Sequence, residues 1–224
     1  LYIPPDSCAC NMKTKLNGLY ALASVRKPRS AGQKVLLEKG PAWQSLAKSS
    51  GGGGKGDEEP ADWPTYRANP ARSGLVNSVV PAGLQTGWSR EIGGKLSSIS
   101  AAAGRVYVAA VDRHTVYCLD AKTGQQLWKY TAGGRVDTPP TIYRDGVYFG
   151  SADGWVYALR AEDGELAWRF LGAPDDRRIF VRGQLESAWP VHGSVLIKDG
   201  KVMFAAGRSS YLDGGLRLHP GLLR

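Results

Sequence analysis

The chain of 224 residues is 42% hydrophobic and 22% charged, with a formal net charge of +9. Nine basic and five acidic groups fall in residues 1–61, and twenty and fifteen in residues 62–224, so the positive excess is spread and not gathered into the basic tract a nucleic-acid binder needs. No apolar run approaches the ~18–20 residues of a membrane-spanning helix.

Leu1-Tyr2-Ile3 and Gly18-Leu19-Tyr20-Ala21-Leu22-Ala23 read as two strands of a divergent structural unit, with Ser24 to Trp43 completing its edge. Between them Cys8 and Cys10 form a Cys-x-Cys pair, open to a disulfide, to free thiols or to metal or haem use. Arg26-Lys27-Pro28-Arg29 is too short a basic tract to be more than a solvated loop. Residues 44–61, with Ser49-Ser50-Gly51-Gly52-Gly53-Gly54, cannot bury enough apolar surface to order themselves and predict a flexible linker. Asp62-Trp63-Pro64 through Ser73-Gly74 is rich in turn dipeptides and predicts an ordered loop, not a helix.

From here the chain is rhythmic. Strands are predicted at Leu84–Ile92, Val106–Ala110, Val116–Leu119 and Leu127–Tyr130, and Trp88, Trp128 and Trp168 recur at a step of 40 residues. Val116 to Trp128 aligns without a gap on Val156 to Trp168. One unit holds Tyr148–Ser151 and Trp155–Leu159 around the turn Ala152-Asp153-Gly154, a second turn at Ala161–Gly164, and a strand carrying Leu166 and Trp168. Four short strands per ~40-residue unit are the signature of a propeller blade. No convincing amphipathic helix is present, so the fold class is all-β: a β-propeller of four-stranded blades, incomplete in this chain. The last unit, after Lys201–Ala206 and Gly215–Leu218, lacks the turn and Trp that the pattern demands, and the chain reads as a fragment.

The repeated motif Ala-x-x-Gly-x-x-x-Trp, present as Ala121 to Trp128 and Ala161 to Trp168, resembles that of the pyrroloquinoline-quinone (PQQ) type β-propellers. That family includes quinoprotein alcohol dehydrogenases and the outer-membrane assembly lipoprotein of the β-barrel machinery. The resemblance covers most of residues 62–218 and is similar in detail to large multi-domain bacterial members. It implies an extracytoplasmic protein in which Gly124 and Gly164 open tight turns and Trp88, Trp128 and Trp168 dock blade to blade. Residues 1–43 then end a preceding propeller, and residues 62–224 begin a second of about three to four blades.

The resemblance also implies what a quinone-dependent dehydrogenase needs: PQQ, a Ca²⁺ or lanthanide held by oxygens, and a carboxylate base beside the metal. No adjacent Cys pair and no compact Asp/Asn/Glu constellation matches such a site, so no catalytic residue, metal ligand or cofactor is assigned. The favoured reading is a non-catalytic interaction scaffold in a larger protein, whose partners are proteins or the rest of its own chain. The alternatives are a quinone-dependent dehydrogenase and a propeller that binds a small ligand or carbohydrate.

The rhythm breaks once, at a charged insertion from Gly172 to Ser187, and loops on a rigid scaffold carry function. Arg177 and Arg178 have the fork geometry to grip a carboxylate or phosphate, and Gln184, Glu186, Trp189, His192, Arg208 and Asp213 are candidates to converge on them. Against this stands the plainer account that Asp175, Asp176 and the arginines pair at a solvated surface. Asp112, Asp153 and Asp213 read as Asx turns, and Cys118 as a small core residue.

Overall fold

The computed structural model describes residues 2–3, 20–21, 36–51, 62–76, 78–79 and 82–222. Cys8, Cys10 and the Arg26–Arg29 tract lie outside the described residues. Strands β1 (Tyr2–Ile3) and β2 (Tyr20–Ala21) pair antiparallel, Tyr2 opposite Ala21. Next come β3 (Leu37–Lys39) and helix α1 (Trp43–Gly51).

Blade I is the meander β4 (Ser100–Ala102), β5 (Arg105–Ala110), β6 (Thr115–Asp120) and β7 (Gln126–Thr131). Blade II repeats it with β8 (Thr141–Tyr143), β9 (Gly146–Gly150), β10 (Trp155–Arg160) and β11 (Leu166–Leu171). The insertion forms a hairpin of β12 (Arg178–Val181) and β13 (Gln184–Ser187). Blade III is described as β14 (Leu196–Lys198), β15 (Lys201–Ala206) and β16 (Arg217–Leu222).

Blade II is stacked between its neighbours, which is why Val147-Tyr148-Phe149 is an unbroken apolar run. A strand buried on both faces has no reason to alternate. Its side chains still separate by face with period two. Val147, Phe149, Tyr157 and Leu159 pack with Tyr107, Val116, Cys118 and Trp128 of blade I, while Tyr148, Val156, Ala158 and Trp168 pack with Val202, Phe204 and Ala206 of blade III. Cys118 is fully buried, and burial pushes its thiol up to about 11, consistent with an inert core residue.

Two devices join successive blades. On the outside, Trp88 Nε1 donates to Ala121 O at 2.9 Å and Trp128 Nε1 to Ala161 O at 2.9 Å. The rings cover Gly124 and Gly164, whose φ angles are +69° and +76° and where a Cβ would meet the indole at 2.5 and 2.6 Å. Trp168 instead lies in the core between blades II and III beside Tyr148, at 5.9 Å between ring centres. On the inside, the first residue of one innermost strand reaches the residue just before the next. Ser100 Oγ donates to Pro140 O at 2.7 Å, and Thr141 Oγ1 to Val195 O at 2.7 Å. The loop after Asp62 threads along this inner ring: Trp63 bridges Ala101, Ile142 N donates to Pro64 O, and Thr65 Oγ1 meets Thr141 Oγ1.

Three expectations change. Leu84–Ile92 is not a strand, because no described edge pairs with it, although Trp88 within it still docks. The stretch read as linker from residue 44 begins within α1, and Leu46 of that helix and Ala42 just before it are buried one turn apart against blade II. Finally, β3 completes the edge of blade II, pairing with β11, and not that of the β1–β2 hairpin.

Candidate functional site

Antiparallel strands place alternate connections at opposite ends of a blade. The Ala-x-x-Gly turns, residues 121–124 and 161–164, lie with the tight turns at 103–104 and 144–145 on one rim; Ala121 N donates to Gly104 O, and Ala161 N to Asp145 O. The other rim collects the β5–β6 and β9–β10 connections, the crossover from β7 to β8, the insertion, and the long β15–β16 connection. Every candidate of the insertion lies on this second rim.

The structure divides those candidates into separate groups. At the first, Arg135 Nη1 stands 2.9 Å from Glu186 Oε1 and Arg135 Nε 2.9 Å from Asp137 Oδ1. His192 Nδ1 lies 2.6 Å from Asp137 Oδ2, and its Nε2 3.9 Å from Glu186 Oε2. The side chains of Arg135 and Glu186 are 7% and 1% exposed, so Glu186 depends on Arg135 for solvation, and Arg135 on Glu186 and Asp137 together. The contact at Glu186 Oε1 is an ion pair without hydrogen-bond alignment. Burial pushes the Asp137 carboxyl up, but hydrogen bonds from His192 and Arg135 outweigh it and hold the group below the usual carboxylate value.

At the second group, Asp213 receives both Arg177 and Arg208, and its carbonyl accepts Trp189 Nε1 at 2.8 Å. The Arg177 guanidinium lies over the Trp189 ring at 4.8 Å. Gln184 belongs to neither group. Its Oε1 is 3.0 Å from His114 Nε2 and its Nε2 donates to Asp112 O at 3.3 Å, carrying the hairpin across to blade I. Arg178 is exposed, opposite Ser187 in the hairpin, and joins neither cluster among the described residues.

The expected convergence of all eight residues is therefore corrected to two clusters, one bridge and one exposed arginine. Strand alternation is the cause, because it sends Glu186 and Gln184 to one face of the hairpin and Arg178 to the other. Of the arginines in the plainer account, Arg177 pairs with Asp213 in the β15–β16 connection. The Asx-turn reading holds at Asp153, whose Oδ1 accepts Trp155 N at 3.1 Å, but its Oδ2 also takes the Tyr157 hydroxyl at 2.5 Å. At Asp213 the carboxylate serves arginines, and Asp112 contributes its carbonyl.

Sequence reading missed Arg135 and Asp137. Their signal was two charges two residues apart in an apolar crossover, Gly134-Arg135-Val136-Asp137, with Val136 fully buried between them. Among the described residues no three acids, histidines or cysteines gather to hold a metal, and Asp137, Glu186 and Asp213 are each bound to arginine.

Comparison with known proteins agrees with the architecture. The chain is 29% identical over 197 residues to a quinoprotein ethanol dehydrogenase of Pseudomonas aeruginosa, covering 82% of this chain and 29% of that protein. It is 31% identical over 101 residues to the outer membrane protein assembly factor BamB of Burkholderia pseudomallei, covering 44% of this chain and 26% of that one. The chain thus spans under a third of the length of these relatives. Among solved structures, a europium-containing methanol dehydrogenase superposes with a TM-score of 0.52 at 19% identity over 79% of this chain and 34% of its own. The quinohemoprotein alcohol dehydrogenase of Comamonas testosteroni gives 0.51 at 23% identity over 75% and 27%, and both likenesses establish the fold. Residues 72–213, more than half of the chain, match the family described as "Outer membrane protein assembly factor BamB", and with its Trp-on-Gly blades the chain belongs to this family of PQQ-like propeller repeats.

Proposed function

We propose that the chain is a non-catalytic PQQ-like propeller module, an interaction scaffold within a larger extracytoplasmic protein, which meets protein partners or other parts of its own chain through the insertion rim. The observation that carries this reading is that the acids and bases of the rim neutralise one another. A general base must be free to take a proton from a bound substrate. Asp137 is instead held ionised by His192 and Arg135, Glu186 is sealed against Arg135, and Asp213 is shared by two arginines. These contacts fix three connections into one rigid surface, which suits recognition. The BamB relatives supply a precedent in their name, that of an assembly factor.

A dehydrogenase reading has one specific support, the similarity to quinoprotein ethanol dehydrogenase across 82% of the chain. One assay separates the two. The intact protein, loaded with PQQ and Ca²⁺, is expected to reduce an artificial electron-acceptor dye no faster with ethanol or butanol than without. Alcohol-dependent dye reduction above the protein-free control would overturn the scaffold reading.

A further inference from the structure

The outer edge of blade II differs from that of blade I. In blade I, β7 ends the described sheet; in blade II, β11 carries an additional strand from more than a hundred residues away in sequence. Strand β3 pairs antiparallel with β11, Leu37 opposite Phe170, Glu38 opposite Arg169 and Lys39 opposite Trp168. The backbone contact runs past the strand itself, since Leu171 N donates to Leu36 O, Gly40 N to Ala167 O, and Ala42 N to Leu166 O.

Side chains read this segment as closely as the backbone does. Two guanidinium nitrogens of Arg169 reach Glu38 Oε2, at 2.7 and 2.6 Å, and the same guanidinium lies 4.3 Å over the Trp155 ring, which fixes its direction. At Gly40 a Cβ would run into the Leu166 carbonyl oxygen, so that position admits glycine alone. Beyond it Ala42 and Leu46 are 0% and 4% exposed, in the core shared with Trp168 and Phe170. Lys39 Nζ covers the Trp43 ring at 4.6 Å. Hydrogen bonds to a sheet edge, a charge-reading arginine, a glycine-only gap and two apolar seats together make up strand-addition recognition.

We propose that the outer edge of blade II is a docking site for a strand-plus-helix segment, and that residues 36–48 are its tethered ligand, exchangeable for the same segment of a second copy of this chain. The site reads the segment by its chemistry, an acid, a glycine two residues on, then Ala and Leu at helical spacing. The tether supplies only effective concentration, since segment and site belong to one chain. This inference is independent of the insertion rim.

The test uses the full chain and a fluorescently labelled peptide of residues 36–48, standing for the segment of a second copy, with binding read by anisotropy. A Gly40→Val chain, whose own segment cannot seat, is expected to bind the peptide saturably and at least tenfold more tightly than the wild-type chain, whose site is filled. A Glu38→Lys peptide should bind the Gly40→Val chain at least tenfold more weakly, and recover on a chain that also carries Arg169→Glu. Near-UV circular dichroism reports whether each chain is folded; if Gly40→Val is not, the Glu38→Lys chain, which loses only the ion pair, takes its place. A folded variant that does not bind the peptide, or that binds the Glu38→Lys peptide equally well, overturns the proposal.

Discussion

The two rims of the propeller hold together by different physics. The rim of the Ala-x-x-Gly turns repeats one contact, an indole on a glycine with its N–H on an alanine carbonyl, at Trp88–Gly124 and again at Trp128–Gly164. The insertion rim repeats nothing. It is joined by charged side chains drawn from sequence-distant connections, such as Arg135 with Glu186 and Arg177 with Asp213. Repetition on one rim fixes the spacing of the blades, which leaves the other free to take an irregular surface without loss of the fold.

The comparison breaks most directly at the repeated contact. Trp128→Ala is expected to cost ~3–5 kcal/mol by emptying a buried aromatic site, and Gly164→Val a similar amount through left-handed backbone strain added to overpacking; thermal unfolding of the full chain measures both. If either loses less than the insertion-rim variants below, the turn rim is not the structural one. On the insertion rim, Arg135→Met leaves the buried Glu186 carboxylate without its close cation and should cost ~3–5 kcal/mol, whereas the double variant with Glu186→Leu should recover much of the loss. A double variant no more stable than the single would mean that the pair does not act as a unit. Smaller again is Thr141→Val, which strips the Val195 carbonyl and Thr65 hydroxyl of a buried partner at about 1–3 kcal/mol.

The pH response sharpens the contrast. Asp137 is held below the ordinary carboxylate value of 3.8, so its contribution is present above that value and is lost as pH falls through the lowered one. The wild-type urea midpoint should therefore fall further between about pH 5 and pH 3 than that of Asp137→Asn, and equal slopes would refute the assignment. The smallest effect is at the surface: Arg177→Ala, half exposed, should change stability by ~0–1 kcal/mol.

What could be read from the chain follows the same division. The blades were legible because Val, Tyr, Phe and Gly recur where each strand and turn must recur, and the 40-residue step needs no three-dimensional information. The insertion was visible as a break in that step, but its geometry was not. Whether Glu186 points inward while Arg178 points out depends on hairpin register, and its partner Arg135 lies in a crossover some 50 residues earlier, on the order of a full repeat away. The fifth strand of blade II escaped for a related reason. Leu36-Leu37-Glu38-Lys39-Gly40 is a short apolar-to-polar stretch whose destination is decided by a glycine-sized gap above Leu166, a property of the acceptor and not of the segment.

The inner hydroxyl bonds carry one more consequence. Ser100 and Pro140 are 40 residues apart and Thr141 and Val195 are 54 apart, yet the same bond closes both intervals. The extra length is spooled out on one rim before the chain rejoins the inner ring at an unchanged position. The angle between blades is therefore insulated from loop content, and the interval between β11 and β14 is where this propeller can gain, lose or exchange a surface without altering its curvature.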